Sequence, residues 1–192
     1  MKKTLIGLAM AASVALTAPA VAEDYKIDGT DTGGMHAVIG FKTKHLGYSW
    51  LHGRFDKFTG SFKFDEANPA ASSVTVNIDT TSLNTNHVKR DEHLRSADFF
   101  DAANHPAAKF ESTAIEVGGD GKGTIKGNLT IRGVTKPVEI AVEHIGGGKD
   151  PWGGFRRGFA GSASIVPADF GMPHAIAKQT VHLTLDIEGV RQ

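Results

Sequence analysis

The sequence predicts a mainly β chain of many short antiparallel strands, folded as a sandwich or a closed barrel and interrupted by one helical insert. Three observations predict it. Apolar and polar residues alternate with period 2 over most of the chain, as in strands buried on one face. Glycine-rich turns separate these stretches at short intervals. From about residue 86 the period changes to helical spacing, and it returns to alternation after Pro106.

Taken in order, the first residues read MKKTLIGLAMAASVALTAPAVA. Lys2 and Lys3 precede an apolar run and an Ala-Val-Ala site, so residues 1–22 are expected to be a cleaved signal peptide. The apolar run falls short of the roughly 20 residues a membrane helix needs. Removing the segment leaves 170 residues, 23–192, as one expected domain, with 19 basic and 21 acidic residues and a formal charge of −2. That balance gives no reason to expect a nucleic-acid partner. No cysteine is present, so a secreted chain must be held by packing alone, and a bacterial periplasm is the expected compartment.

The first strand signal places Ala37, Ile39, Phe41, Thr43 and His45 on one face. Phe62 and Phe64 follow, then Val74, Val76 and Ile78. After the insert come Ile125, Gly127, Leu129 and Ile131, then Val138, Ile140 and Val142. Phe159, Gly161, Ala163 and Ile165 share a face, as do Val181, Leu183, Leu185 and Ile187. GGDGKG (residues 118–123) reads as a hairpin tip, RGVTKP (132–137) as a short connection, and HIGGGKDPWGG (144–154) as a longer loop. In the insert, RDEHLRSADFFDAANHP (90–106), Leu94, Ala97 and Phe100 recur at helical spacing beside Val88 and Phe99. Asn84 or Asn86 is the expected cap of its first turn, and Ser96 the cap of a second short helix. Arg90, Asp91, Glu92 and Arg95 read as solvated charges in local pairs.

Catalytic signatures are weak. His87, His93 and His105 lack the spacing that sets two imidazoles on one helix face, so no metal site is expected. No serine lies in a GxSxG elbow, and there is no cysteine nucleophile. Asp169-Phe170-Gly171 lacks the accompanying kinase motifs, and Gly148-Lys149 lacks a phosphate loop. The eleven phenylalanines admit two readings. They pack a solid interior, or they line a cavity for which Ala37, Gly127, Gly161 and Ala163 leave room; an eight-stranded barrel sits at the size where either occurs.

Six segments occur in a telling order: HLGYSWLHGRF (45–55), RDEHLRSADFFD (90–101), HPAAKFEST (105–113), LTIRGVTKPV (129–138), DPWGG (150–154) and DFGM (169–172). Together they resemble the YceI family of periplasmic, lipocalin-like polyisoprenoid-binding proteins, from about Tyr25 to the C-terminus. The resemblance implies an extended antiparallel eight-stranded lipocalin-like β-barrel with a short helical insert near residues 86–104. It implies an elongated apolar pocket for a polyisoprenoid or isoprenoid quinone, no required cofactor and no catalysis. Pro167 departs from the family pattern, and because proline donates no ladder bond an edge or bulge is expected there.

Alternation then assigns the site. The tail is expected against Ile39, Phe41, Phe62, Val76, Ile78, Phe110, Leu129, Ile131, Ile140, Phe159, Leu183 and Leu185. Leu94, Phe99 and Phe100 are expected to form a plug and pocket wall, with an exterior helix as the alternative. His45, Tyr48 and Trp50 are expected to meet a polar head group. The expected partners are a long-chain isoprenoid lipid, inner-membrane quinone-handling proteins and a second copy in a homodimer. Two other classes stay open: an enzyme acting on a lipid or quinone head group, with His45 or a carboxylate as acid or base, and a stress or envelope protein that binds no ligand. If the inward faces are correctly assigned, a charged residue at Phe41 or Leu129 abolishes lipid retention. Wild-type retention by both variants, read by extraction and mass spectrometry, overturns the assignment.

Overall fold

Alternation needs partner strands, and the chain supplies one on each side of every barrel strand. The structure, a computed structural model, describes residues 22–30 and 36–192. The expected signal segment lies outside the described residues except for Ala22. Among the described residues eleven antiparallel strands form one sheet. They are β1 (Glu23–Asp28), β2 (Val38–His45), β3 (Ser49–Phe55), β4 (Phe58–Phe64), β5 (Ser73–Asp79), β6 (Leu83–Asn84), β7 (Ala107–Val117), β8 (Lys122–Ile131), β9 (Val134–Lys149), β10 (Phe155–Ile165) and β11 (Val181–Arg191). Eight of them close a barrel in the order β1-β4-β5-β7-β8-β9-β10-β11, with β1 pairing back onto β11. The closing register is Tyr25 with Arg191 and Lys26 with Val190. The other half of β11, Val181 to Asp186, pairs with β2, and β3 and β6 follow. These three strands extend the barrel beyond one end.

Three hairpins use the turn whose twist matches that of the strands, with two successive residues at positive φ. These are Leu46-Gly47 (51° and 80°), Asp120-Gly121 (57° and 75°) and Arg132-Gly133 (51° and 74°). The glycines 146–148 are not a loop as expected. β9 runs to Lys149 and pairs with β10 from Phe155, so only residues 150–154 turn. A register shift sets Gly158 opposite Gly146 and Phe159 opposite His144, which leaves Ile145 as the extra residue of a bulge. Pro167 makes neither an edge nor a bulge. It opens the 3-10 helix Pro167–Phe170 after β10 has ended, where a missing N–H costs no ladder bond.

The insert is shorter in helix than its spacing predicts. α1 covers Val88–Arg95, and residues 97–100 are turns rather than a second helix. His87, not an asparagine, is the cap, accepting from the Arg90 N–H at 3.3 Å. Asn86 sits at φ 62°, and Asn84 accepts its N–H at 2.8 Å, so the asparagines shape the approach to the helix. Of the expected solvated charges Glu92 is exposed, while Arg90, Asp91 and Arg95 are anchors. Asp91 is buried and accepts from the N–H (2.8 Å) and hydroxyl of Thr85. Arg90 donates to the Thr85 carbonyl at 2.7 Å, and Arg95 to the Leu83 carbonyl at 3.0 Å.

These anchors carry the insert across the barrel end. On the far side Arg132 donates to the Ala97 carbonyl at 2.9 Å. Phe99 is buried in one core with Phe110, Phe170 and Met172, and Phe100 packs against both cores of the barrel. The Phe100 ring meets Phe55 edge-on at 5.6 Å, and His174 stacks on Phe99 at 4.8 Å. The insert is therefore a plug and not an exterior helix, while Val88 of its expected stripe is 72% exposed. Removing the buried carboxylate leaves the Thr85 N–H without an acceptor. Asp91→Ala is expected to destabilise the fold by about 1–3 kcal/mol, read as a lower urea midpoint at unchanged slope.

Candidate functional site

Above the plug the barrel is hollow. A cavity of about 330 Å³ lies between the inward faces, within the range of small-molecule sites. Its walls are almost wholly apolar. Of the residues assigned from alternation, Ile39, Phe62, Val76, Ile78, Phe110, Leu129, Ile140, Phe159, Leu183 and Leu185 line it. Along β9 the lining runs Val138, Ile140, Val142, His144, every second residue of one strand face.

The remaining assignments fall elsewhere. Phe41 lies over Gly53, where an added Cβ would sit 2.3 Å from the ring, and it packs into the core around Phe55. Ile131 is buried in the second core. Leu94, Phe99 and Phe100 stand beneath the cavity and are not among its lining residues. Gly127 leaves no room for a ligand, because the Phe110 ring occupies it at 2.3 Å from a built Cβ. Gly161 does line the cavity. The residues expected at a head group lie apart from the cavity. His45, Tyr48 and Trp50 belong to the β2–β3 hairpin at the plugged end and lie outside the cavity, with Tyr48 87% exposed.

The mouth is at the opposite end. Here the lining residues Glu116, Val117, Gly118 and Lys122 are exposed, so the cavity meets solvent beside the β7–β8 turn. Its polar groups include His144, which leads to a buried cation. Arg157 is 5% exposed and faces the Phe64 ring at 4.1 Å. It donates to the Tyr25 hydroxyl at 3.3 Å, faces His144 Nε2 at 3.2 Å and reaches exposed Glu66 at 3.4 Å. Tyr25 in turn donates to Glu23 at 2.7 Å. Desolvation is the main reason this cluster keeps the imidazole neutral: burial, then the Arg157 charge, lowers the His144 pKa. A neutral ring with Nε2 turned to Arg157 accepts from the guanidinium. Among the described residues, no three His, Asp or Glu side chains converge as a metal-ligating group.

His144 was missed because residues 144–154 read as loop, and Arg157 because the strand face was read only from Phe159. Both extend faces already assigned, two residues beyond Val142 and two before Phe159. The alternation contained the signal, and the glycines hid it.

Residues 25–189 match the family model of the YceI-like domain. A UPF0312 protein of Pseudomonas aeruginosa is 52% identical over 194 residues, spanning all of both chains. A UPF0312 protein of Vibrio cholerae is 50% identical over 192 residues, again all of both. Burkholderia cenocepacia BcnA superposes with a TM-score of 0.72 at 25% identity, covering 79% of this chain and 95% of that one. A Campylobacter jejuni YCEI protein does so with 0.69 at 30% identity, covering 78% and 90%. A polyisoprenoid binding domain from Saccharophagus degradans, implicated in plant cell wall breakdown, shares the fold with a TM-score of 0.64 at 15% identity, covering 90% and 100%.

The lowered His144 pKa has a testable sign. The unfolded chain binds this proton near the ordinary imidazole value of 6.5, and the folded protein binds it only at lower pH. The stability contribution is complete above about pH 6.5 and is lost as pH falls toward the folded pKa. His144→Gln keeps an acceptor for Arg157 and does not titrate. Its unfolding free energy is expected to fall less steeply than wild type below pH 6.5, and parallel profiles would refute the assignment.

Proposed function

The chain belongs to the YceI-like family, and from that premise we propose that it is a binding protein that holds the apolar tail of a long lipid inside the barrel. One observation carries the reading: an apolar cavity, closed by the plug below, has polar side chains only toward its open end. Burial of hydrocarbon there contributes roughly 25 cal/mol per Å² removed from water, without direction or register. Such a site selects for length and flexibility, which suits a polyisoprenoid. The polyisoprenoid binding domain that shares the fold points the same way. Isoprenoid quinones and their precursors are the proposed ligands, and the periplasm is the proposed compartment, reached by the N-terminal signal.

Our reading sets the head group at the mouth, where His144 lines the cavity with Arg157 behind it. A guanidinium has five donors, more than the three contacts Arg157 makes with Tyr25, His144 and Glu66. Carbonyl, hydroxyl or phosphate oxygens are the acceptors that match it. No cofactor is required by this mechanism. Retention and release rest on the tail leaving water and returning to it.

Native mass spectrometry of protein purified from the periplasm, followed by organic extraction, tests the reading. A stoichiometric isoprenoid lipid is expected. Ligand-free protein that also refuses added prenyl lipids would overturn it. Val142→Trp sets a bulky ring in the cavity wall and is expected to lower retained lipid at least about tenfold while the urea midpoint holds.

A further inference from the structure

We propose that the β2–β3 hairpin docks the protein onto an anionic lipid bilayer surface. The hairpin reads VIGFKTKHLGYSWLHGRF over residues 38–55. It carries Lys42, Lys44, Arg54, His45 and His52 and no acidic residue. Its tip projects beyond the plugged end: β2 pairs with β11 only as far as Thr43 opposite Val181, and a Cβ built at Gly47 has no neighbour within 4 Å. Three large side chains stand out within five residues, Leu46 at 70%, Tyr48 at 87% and Trp50 at 44% exposure. Lys42 Nζ lies 4.9 Å and Lys44 Nζ 5.9 Å from the centre of the Trp50 ring.

A bilayer is the occupant this chemistry fits. Tyr and Trp settle at the level of lipid head groups, with the ring in the apolar layer and the polar edge in water. Lysines flanking them extend to lipid phosphates while their stems stay along the ring. The surface groove beside the hairpin repeats the sign of the charge. Trp50, His52, Arg54 and Arg90 line it and no carboxylate does, while Asp56 pairs with Arg54 at 2.6 Å just outside it. The mouth end also exposes Val117, Ile145 and Trp152, but there Glu116, Asp120, Glu143 and Asp150 outnumber Lys122 and Lys149. An anionic surface therefore favours the plugged end, and docking there leaves the mouth facing away from the bilayer, free to pass its cargo on.

The experiment uses tryptophan emission. Trp152→Phe leaves Trp50 as the sole tryptophan of the chain. On vesicles of equal phosphatidylcholine and phosphatidylglycerol, Trp50 emission is expected to shift to the blue and the protein to sediment with the vesicles. On phosphatidylcholine alone neither is expected. Lys42→Ala/Lys44→Ala is expected to lower partitioning about 25-fold, at about fivefold per lysine near the surface. Its urea midpoint checks that the fold persists, and the Trp152→Phe measurement stands without it. No Trp50 shift on anionic vesicles overturns the proposal, and so does undiminished binding by the double variant. A shift of Trp152 instead, in Trp50→Phe, would place the mouth on the bilayer and overturn it as well. A dimer that Tyr48→Asp dissociates, with no vesicle binding, would mean that a second copy covers the hairpin. Lipid retention in the cavity is read separately by extraction, so failure here leaves that reading intact.

Discussion

Closure of the barrel rests on a short seam. β1 meets β11 at two residue pairs, Tyr25 with Arg191 and Lys26 with Val190, and without them the eight strands would have two free edges. Side chains reinforce what the ladder supplies. Tyr25 stacks on Phe62 at 4.6 Å with nearly parallel rings, Glu23 accepts from Arg191, and the Gln192 N–H reaches the Asp24 carbonyl at 2.9 Å. The same Tyr25 hydroxyl that serves Glu23 also accepts from Arg157. Seam and mouth are thus one hydrogen-bonded network, and the buried Arg157 is held by the contact that closes the barrel.

Volume is distributed unevenly along the barrel axis. Rings lie over glycines at several levels, Phe41 on Gly53, Phe110 on Gly127 and Phe62 on Gly189, and take the space a side chain there would need. Phe99, Phe170 and Met172 complete that packing from two segments far apart in sequence. Val138, Ile140, Val142, Gly161 and Leu185 line the cavity together with Phe62, Phe64 and Phe159. A small residue on an inward face therefore decides nothing by itself. Whether it opens space depends on whether an aromatic ring stands within reach.

Legibility followed the same division. Inward faces were readable wherever five or so alternating residues were uninterrupted, and most of the residues so assigned line the cavity. The reading failed where local chemistry resembled something else. Gly146, Gly147 and Gly148 resemble a loop but are a strand, because β10 pairs with them and Gly147 admits the Arg157 guanidinium at close range. Asp91 resembles a surface charge but is buried, because Thr85 supplies it with two donors. Tyr48 and Trp50 resemble a head-group site in composition, and only topology places them at the end of the barrel away from the cavity mouth.

By itself the sequence determined the β class, the turns at Asp120-Gly121 and Arg132-Gly133, and the inward face of those strands whose alternation was unbroken. These are local properties, set by period-2 geometry and by backbone angles that one or two residues dictate. Tertiary structure alone decided that the sheet closes, that the insert plugs one end, and that His144 and Arg157 come together at the other. Each of these depends on partners tens of residues away, Tyr25 with Arg191 or Arg157 with Glu66. Contacts at that separation leave no period in the chain, so only the folded barrel displays them.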